Sequence, residues 1–280
     1  MNKTDTMLKH ARNIFFSHWE EMLHFRLVVL KKCEHEDIHD LRVASRRFRS
    51  ALYLLAPLCG EGDALKVVKD VRSLTRVLGS LRNLDEALFF FGSRAEGIAL
   101  SELIARLGEA RENEQRKVIK VLKGFKYDKL DSKVSEIVAT ITADSIRKRN
   151  MPSFASYLST TSITLFESIY KHLPATIRPE NTEKRHALRI AIKKWRYFLE
   201  IADRILERDY GAILELLKKY QTLLGSMNDM AVYAATCRKT GLTASELESV
   251  EQLLSLENKR LFDEFVKLVE TEPISYTFLI

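Results

Sequence analysis

Apolar residues recur at spacings of three and four along almost the whole chain, the pattern of helices that each bury one face. Strands of alternating polarity are absent, so the pattern predicts an all-α protein. The first amphipathic segment runs over 6–34 (Ile14, Phe15, Trp19, Met22, Leu23, Leu27, Leu30). A break at 34–37 makes Asp37 the expected N-cap of a second helix, which should end near Pro57 and Gly60. Further helices are predicted over 62–78, stopped at Gly79, and over 81–91, closed by Gly92 and Gly97. Others follow over 99–123, 129–150 and 153–172. After a loop with Pro174 and Pro179, Asn181 or Thr182 can cap the next helix. The last three segments are 208–224 (stopped at Gly225), 227–239 (stopped at Gly241) and 243–270, where Thr243 and Glu246 form a capping box.

One helix occurs twice. His39-Asp40-Leu41-Arg42-Val43-Ala44-Ser45-Arg46-Arg47-Phe48-Arg49 matches His186-Ala187-Leu188-Arg189-Ile190-Ala191-Ile192-Lys193-Lys194-Trp195-Arg196. At about 100° per residue, His39, Arg42, Arg46 and Arg49 fall within roughly 80° of arc, with Arg47 at the edge. Leu41, Ala44, Phe48, Ala51, Leu52 and Leu55 fall opposite and suit a core. The second copy sorts alike: His186, Arg189, Lys193 and Arg196 on one side, Leu188, Ala191, Trp195, Phe198, Leu199 and Ala202 on the other. Like charges one turn apart cost a helix a few tenths of a kcal/mol each. Incurring that cost twice in register points to an anionic partner.

The likeness extends further. Leu78-Gly79-Ser80-Leu81 matches Leu224-Gly225-Ser226-Met227, at nearly equal distances from His39 and His186, and each is followed by acidic or amide residues (Asn83 and Asp85; Asn228 and Asp229). Arg72 and Lys218 precede the glycines at matching positions. The expected architecture is two four-helix bundles, 1–150 and 151–280, divided after Arg147-Lys148-Arg149-Asn150. Duplication implies a pseudo-two-fold axis, across which the basic faces converge on a groove or channel.

The net charge of +7 and pI near 9.2 favour anionic partners. Three scattered cysteines, no signal-peptide pattern and no long apolar run lead to the expectation of a reduced, cytoplasmic protein without a membrane span.

The paired H-x-L-R-[IV]-x-x-[RK]-[RK] motif and the L-G-S-[LM] segment resemble the CHAD family, named for its conserved histidines and α-helical content. Leu217–Gly225 is similar to the family's corresponding stretch, and the resemblance spans essentially the whole chain. It implies two four-helix bundles and a basic surface that binds inorganic polyphosphate, with no catalysis and no cofactor, and possible association with polyphosphate granules in the cell. Carried over by motif, the binding positions are His39, Arg42, Arg46, Arg47, Arg49, His186, Arg189, Lys193, Lys194 and Arg196. Secondary candidates are Arg72, Arg76, Arg82, Lys218 and Lys219. Arg82-Asn83-Leu84-Asp85 departs from the family, whose members often carry Asp directly after the Arg.

Such a face suits a polyphosphate. Arg forks phosphate oxygens in pairs, Lys adds a mobile point charge, and a base-free polymer asks for nothing else. His39 is expected in the first helical turn, giving tighter binding at mildly acidic pH. Nucleic acid is the less favoured ligand: the aromatics lie on the buried faces, and both basic helices lack Asn and Gln. A helical scaffold is a third reading. His35 and His39 sit four apart among carboxylates, but the expected helix break between them argues against a metal site. P-loop, G-x-S-x-G and H-E-x-x-H motifs are absent, as is the alternating E-x-E-x-K strand of triphosphate tunnel enzymes.

Overall fold

The computed structural model describes residues 3–59, 61–94, 100–148 and 152–280. All regular structure in them is helical: α1 Lys3–Lys31, α2 His35–Leu55, a 3₁₀ turn at Ala56–Leu58, α3 Glu61–Gly92, α4 Ser101–Gly124, α5 Tyr127–Thr140, α6 Ala143–Lys148, α7 Phe154–Thr176, α8 Thr182–Leu206, α9 Gly211–Cys237 and α10 Ala244–Thr271. The expected bundle boundary at Arg149-Asn150, and the helix stops at Gly60 and Gly97, lie outside the described residues.

Helices run straight through two of the expected stops. Gly79 lies inside α3 and Gly225 inside α9. A helix-interior glycine costs about 1 kcal/mol relative to alanine, which the apolar stripes on either side of it overcome. Gly79 packs against Arg42: a Cβ there would stand 3.6 Å from Arg42 Nε, an ordinary van der Waals contact. Nothing comparable lies within 4 Å of Gly225.

The expected N-cap also moves. Glu34 caps α2, and its backbone N–H donates to the Asp37 carboxylate at 3.1 Å, so Asp37 is the reciprocal member of a capping box. The segment expected as one helix over 129–150 divides at Ile141 into α5 and α6, giving the N-terminal half more than four helices. Asn181 takes the N-cap position of α8 without a capping bond, its amide donating instead to the Ala175 carbonyl at 2.8 Å, and Thr243 with Glu246 caps α10 as the sequence requires.

Successive helices pack as antiparallel neighbours: α1 on α2, α2 on α3, α3 on α4, then α7 on α8, α8 on α9 and α9 on α10. The halves meet where α1 and α2 pack on α8, with α3 against α9 and α1 against α7. Trp19, Phe15 and Phe48 form the aromatic centre of the first half, with ring centroids 5.1 Å apart. Trp195, Phe166 and Tyr276 form that of the second. Phe48 and Trp195 are fully buried, as their positions opposite the charges predict. Both indole N–H groups are satisfied, Trp19 by Asp131 at 2.7 Å and Trp195 by Ser162 at 3.2 Å. No helix among the described residues is long and apolar enough to cross a membrane.

Candidate anion-binding site

The core face of α2 (Leu41, Ala44, Phe48, Leu52, Leu55) turns Arg42, Arg46 and Arg49 to the other side, and α8 does the same with Arg189, Lys193 and Arg196. Because α2 packs on α8, these side chains enter one electrostatic neighbourhood. Burial, then Arg46, Arg189 and Arg42, push the Lys193 ammonium down to about 6, with Asp229 pulling the other way. Burial, Arg46, Arg189 and Arg82 likewise lower Arg42, to about 10, while Tyr197 opposes them. Arg189 is lowered by burial and Arg46 against the pull of Asp229. Residues almost 150 positions apart thus sense each other's charge.

Asp229 acts on Arg42, Arg189 and Lys193 without forming a direct ion pair with any of them. No ion pair forms with Arg42, Arg46, Arg49, Arg189 or Lys193 among the described residues. The Nε atoms of Arg42, Arg49, Arg189 and Arg196 are buried without a hydrogen-bond partner, at matching positions of the two motif copies. Buried donors normally have partners, and four orphaned guanidinium nitrogens on one pair of faces call for one.

Other members of the expected set stand differently. Arg47 lies between Glu21 of α1 (3.6 Å) and Glu200 of α8 (3.7 Å), tying three helices together. Arg196 pairs with Glu200 at 3.4 Å, and Lys194 is exposed. His186 is exposed and shares a 3.0 Å hydrogen bond with Asn228 of α9. His39 is the fifth residue of α2, beyond the first turn, so the helix terminus acts on it less than expected. Burial and Arg82 hold its imidazole below the usual histidine range. His35 opens the same helix, without the expected break before His39. Its two nitrogens meet Arg82 and Glu36, and no group of three or more metal-ligating side chains occurs among the described residues.

Among the secondary candidates, the Ser45–Thr75 hydrogen bond (3.0 Å) sets the antiparallel register of α2 and α3. That register lays Arg72 and Arg76, both exposed, alongside Arg49 and Arg46. Arg82 joins the cluster's electrostatics through Arg42 and His39, and is itself bound to Glu86. Lys218 pairs with Glu215 at 3.7 Å and Lys219 with Glu272 at 2.7 Å; both are exposed.

Two participants escaped the sequence reading. Tyr197 is buried, and the guanidinium carbons of Arg46 and Arg196 each stand 5.3 Å from its ring centre. The other is Asp229, whose carboxyl burial raises although Arg189, Lys193 and Arg42 act to lower it. Asp229 stood in the Asn-Asp segment after Gly225; Tyr197 sits where the first copy has Ser50, a departure from the repeat that was its only signal.

The CHAD domain family model matches residues 13–238, about four-fifths of the sequence. The chain belongs to the CHAD domain family. Among solved structures, this CHAD chain is similar to the crystal structure of the CHAD domain from the plant Ricinus communis, with a TM-score of 0.69 at 21% identity over 95% of this chain and 92% of that one. It is also similar to PptA from Streptomyces chartreusis, with a TM-score of 0.64 at 12% identity over 96% and 99% of the two chains. At such identities the likeness speaks for the fold of the CHAD domain alone. No curated protein matches the chain significantly.

Proposed function

We propose that this CHAD domain is a non-catalytic receptor for inorganic polyphosphate, in which 1–150 and 151–280 are duplicated halves and the basic faces of α2 and α8 line one shared groove. The observation that carries this reading is the group formed by Arg42, Arg46, Arg189 and Lys193: basic side chains of both motif copies drawn together with no ion pair among the described residues, Asp229 being the carboxylate that acts on them. A densely charged polyanion relieves the repulsion among them and supplies acceptors for the unsatisfied guanidinium nitrogens. Arg72 and Arg76 extend the track along α3. Lys194, Lys218 and Lys219 contribute long-range attraction. A cytoplasmic polymer held in granules is a suitable target.

Competition at fixed ionic strength between long-chain polyphosphate, single-stranded DNA, RNA and heparin tests the assignment. Polyphosphate should displace a labelled polyphosphate probe at the lowest concentration. Equal or better displacement by DNA would make the protein a general polyanion or nucleic-acid binder.

A further inference from the structure

Beside the cationic cluster, α8, α9 and α10 enclose a cavity of about 600 Å³, within the range of small-molecule sites. Its floor is apolar: Leu224, Met227, Met230 and Leu254 are each less than a tenth exposed. Around it stand side chains able to donate and accept hydrogen bonds, namely Asn228, Ser255 and Asn258. His186 lines the cavity and also belongs to the basic face of α8, one turn before Arg189, so the cavity opens beside the cluster. Arg238 and Glu251, held together at 2.7 Å, close another side.

The cavity has a sequence origin. Six residues after the motif glycine, the first half carries Asp85, which is buried and bound at 2.6 Å to Arg111 of α4. Six residues after Gly225, the second half carries Ala231, which lines the cavity together with Ser255 and Asn258 of α10. At this point of the motif the first half has a paired carboxylate and the second a methyl group. One wall is α10, which lies outside the span matched by the family model.

We propose that this cavity takes the base of a nucleoside triphosphate, whose phosphates pass His186 onto the basic face of α8. Two methionine thioethers suit the face of a heteroaromatic ring, and the Asn258 amide and Ser255 hydroxyl suit its edge, the Asn228 amide being held by His186 and Asp229. Glu183, on the same rim, disfavours a phosphate at the Thr182 end and leaves the His186 side as the exit. The phosphate end rests on the anion-binding reading above; the base end does not.

The test compares ATP with tripolyphosphate, both free of divalent cations, on the full chain and on Ala231→Trp. Ala231 is exposed at the cavity wall, so an indole there fills the cavity without displacing core. Isothermal titration should find ATP at least tenfold tighter than tripolyphosphate on the parent. The variant should lose that advantage and keep its tripolyphosphate affinity. Equal affinity of the two ligands on the parent overturns the cavity assignment and leaves the anion site standing. An ATP advantage that survives Ala231→Trp overturns it too. If neither ligand binds, both readings fall.

Discussion

The Tyr197 ring receives two guanidiniums, Arg46 from the first half and Arg196 from the second, each 5.3 Å from its centre. One buried ring thereby offers both cations a cation–π contact. A partly buried cation–π contact is worth about 1 kcal/mol, so Tyr197→Leu should cost roughly 1–2 kcal/mol of stability. It should also weaken polyphosphate binding several-fold, because Arg46 and Arg196 lose their shared support. Urea midpoints and fluorescence anisotropy check the two effects separately. A drop in stability with unchanged affinity would make the tyrosine a packing residue only.

Arg42 and Arg189 hold equivalent places in the motif, and neither forms an ion pair among the described residues. Arg42→Glu with Arg189→Glu should abolish polyphosphate binding while the helical circular-dichroism signal persists. Either reversal alone should cost at least tenfold in affinity. Loss of helicity in the double variant would mean that the arginines hold the fold rather than the ligand.

The depressed lysine sets a direction with pH. Between about 6 and the ordinary 10.5, unfolded Lys193 carries a proton that the folded protein lacks. Stability should therefore rise with pH through that window, and Lys193→Met should stabilise the protein at pH 7. A bound polyanion restores the proton, so affinity should fall as pH climbs from about 6 to 9. His39, depressed by burial and Arg82, acts the same way at the acidic end. Titration calorimetry in two buffers of different ionisation enthalpy measures the proton uptake, which Lys193→Met should reduce. No uptake in the parent protein would remove Lys193 from contact with the ligand.

Phosphate contacts should appear in the salt response. By analogy with nucleic acids, the logarithm of affinity should fall linearly with the logarithm of salt concentration, with a slope that counts the phosphates neutralised. The slope should shrink by about one when Arg76, exposed beside Arg46, becomes alanine. An unchanged slope would end the track before it reaches α3.

The Asp85–Arg111 pair is a stability element away from the ligand. Arg111→Met would strand a carboxylate whose residue is 4% exposed, a loss of about 3–5 kcal/mol. Asp85→Leu combined with Arg111→Met should recover most of that loss. Chemical denaturation of the two variants beside the parent decides; equal stability of the single and double variants would contradict the pairing.

Helical periodicity showed where the core lay, and the repeated motif showed which faces carry charge, because both are properties of local spacing. Gly79 and Gly225 misled because glycine marks helix ends only when tertiary packing does not continue the helix; α3 and α9 are long enough to override them. Asp37 misled by three positions, since a capping box has an acid at both ends. Within the site, Arg42, Arg46, Arg189 and Lys193 followed from the repeat. The diversion of Arg47 to Glu21 and Glu200, and the place of Tyr197, depend on how three helices meet, which no single-helix pattern contains.

Helix α1 braces α2 and α8 together, so the opposed cations cannot relax by drifting apart. The core holds that electrostatic load in place, as a sprung frame does. On the proposed function, a bound polyanion lightens it. Heat resistance should track phosphate supply, so that this protein melts later in cells rich in the polymer than in cells starved of it.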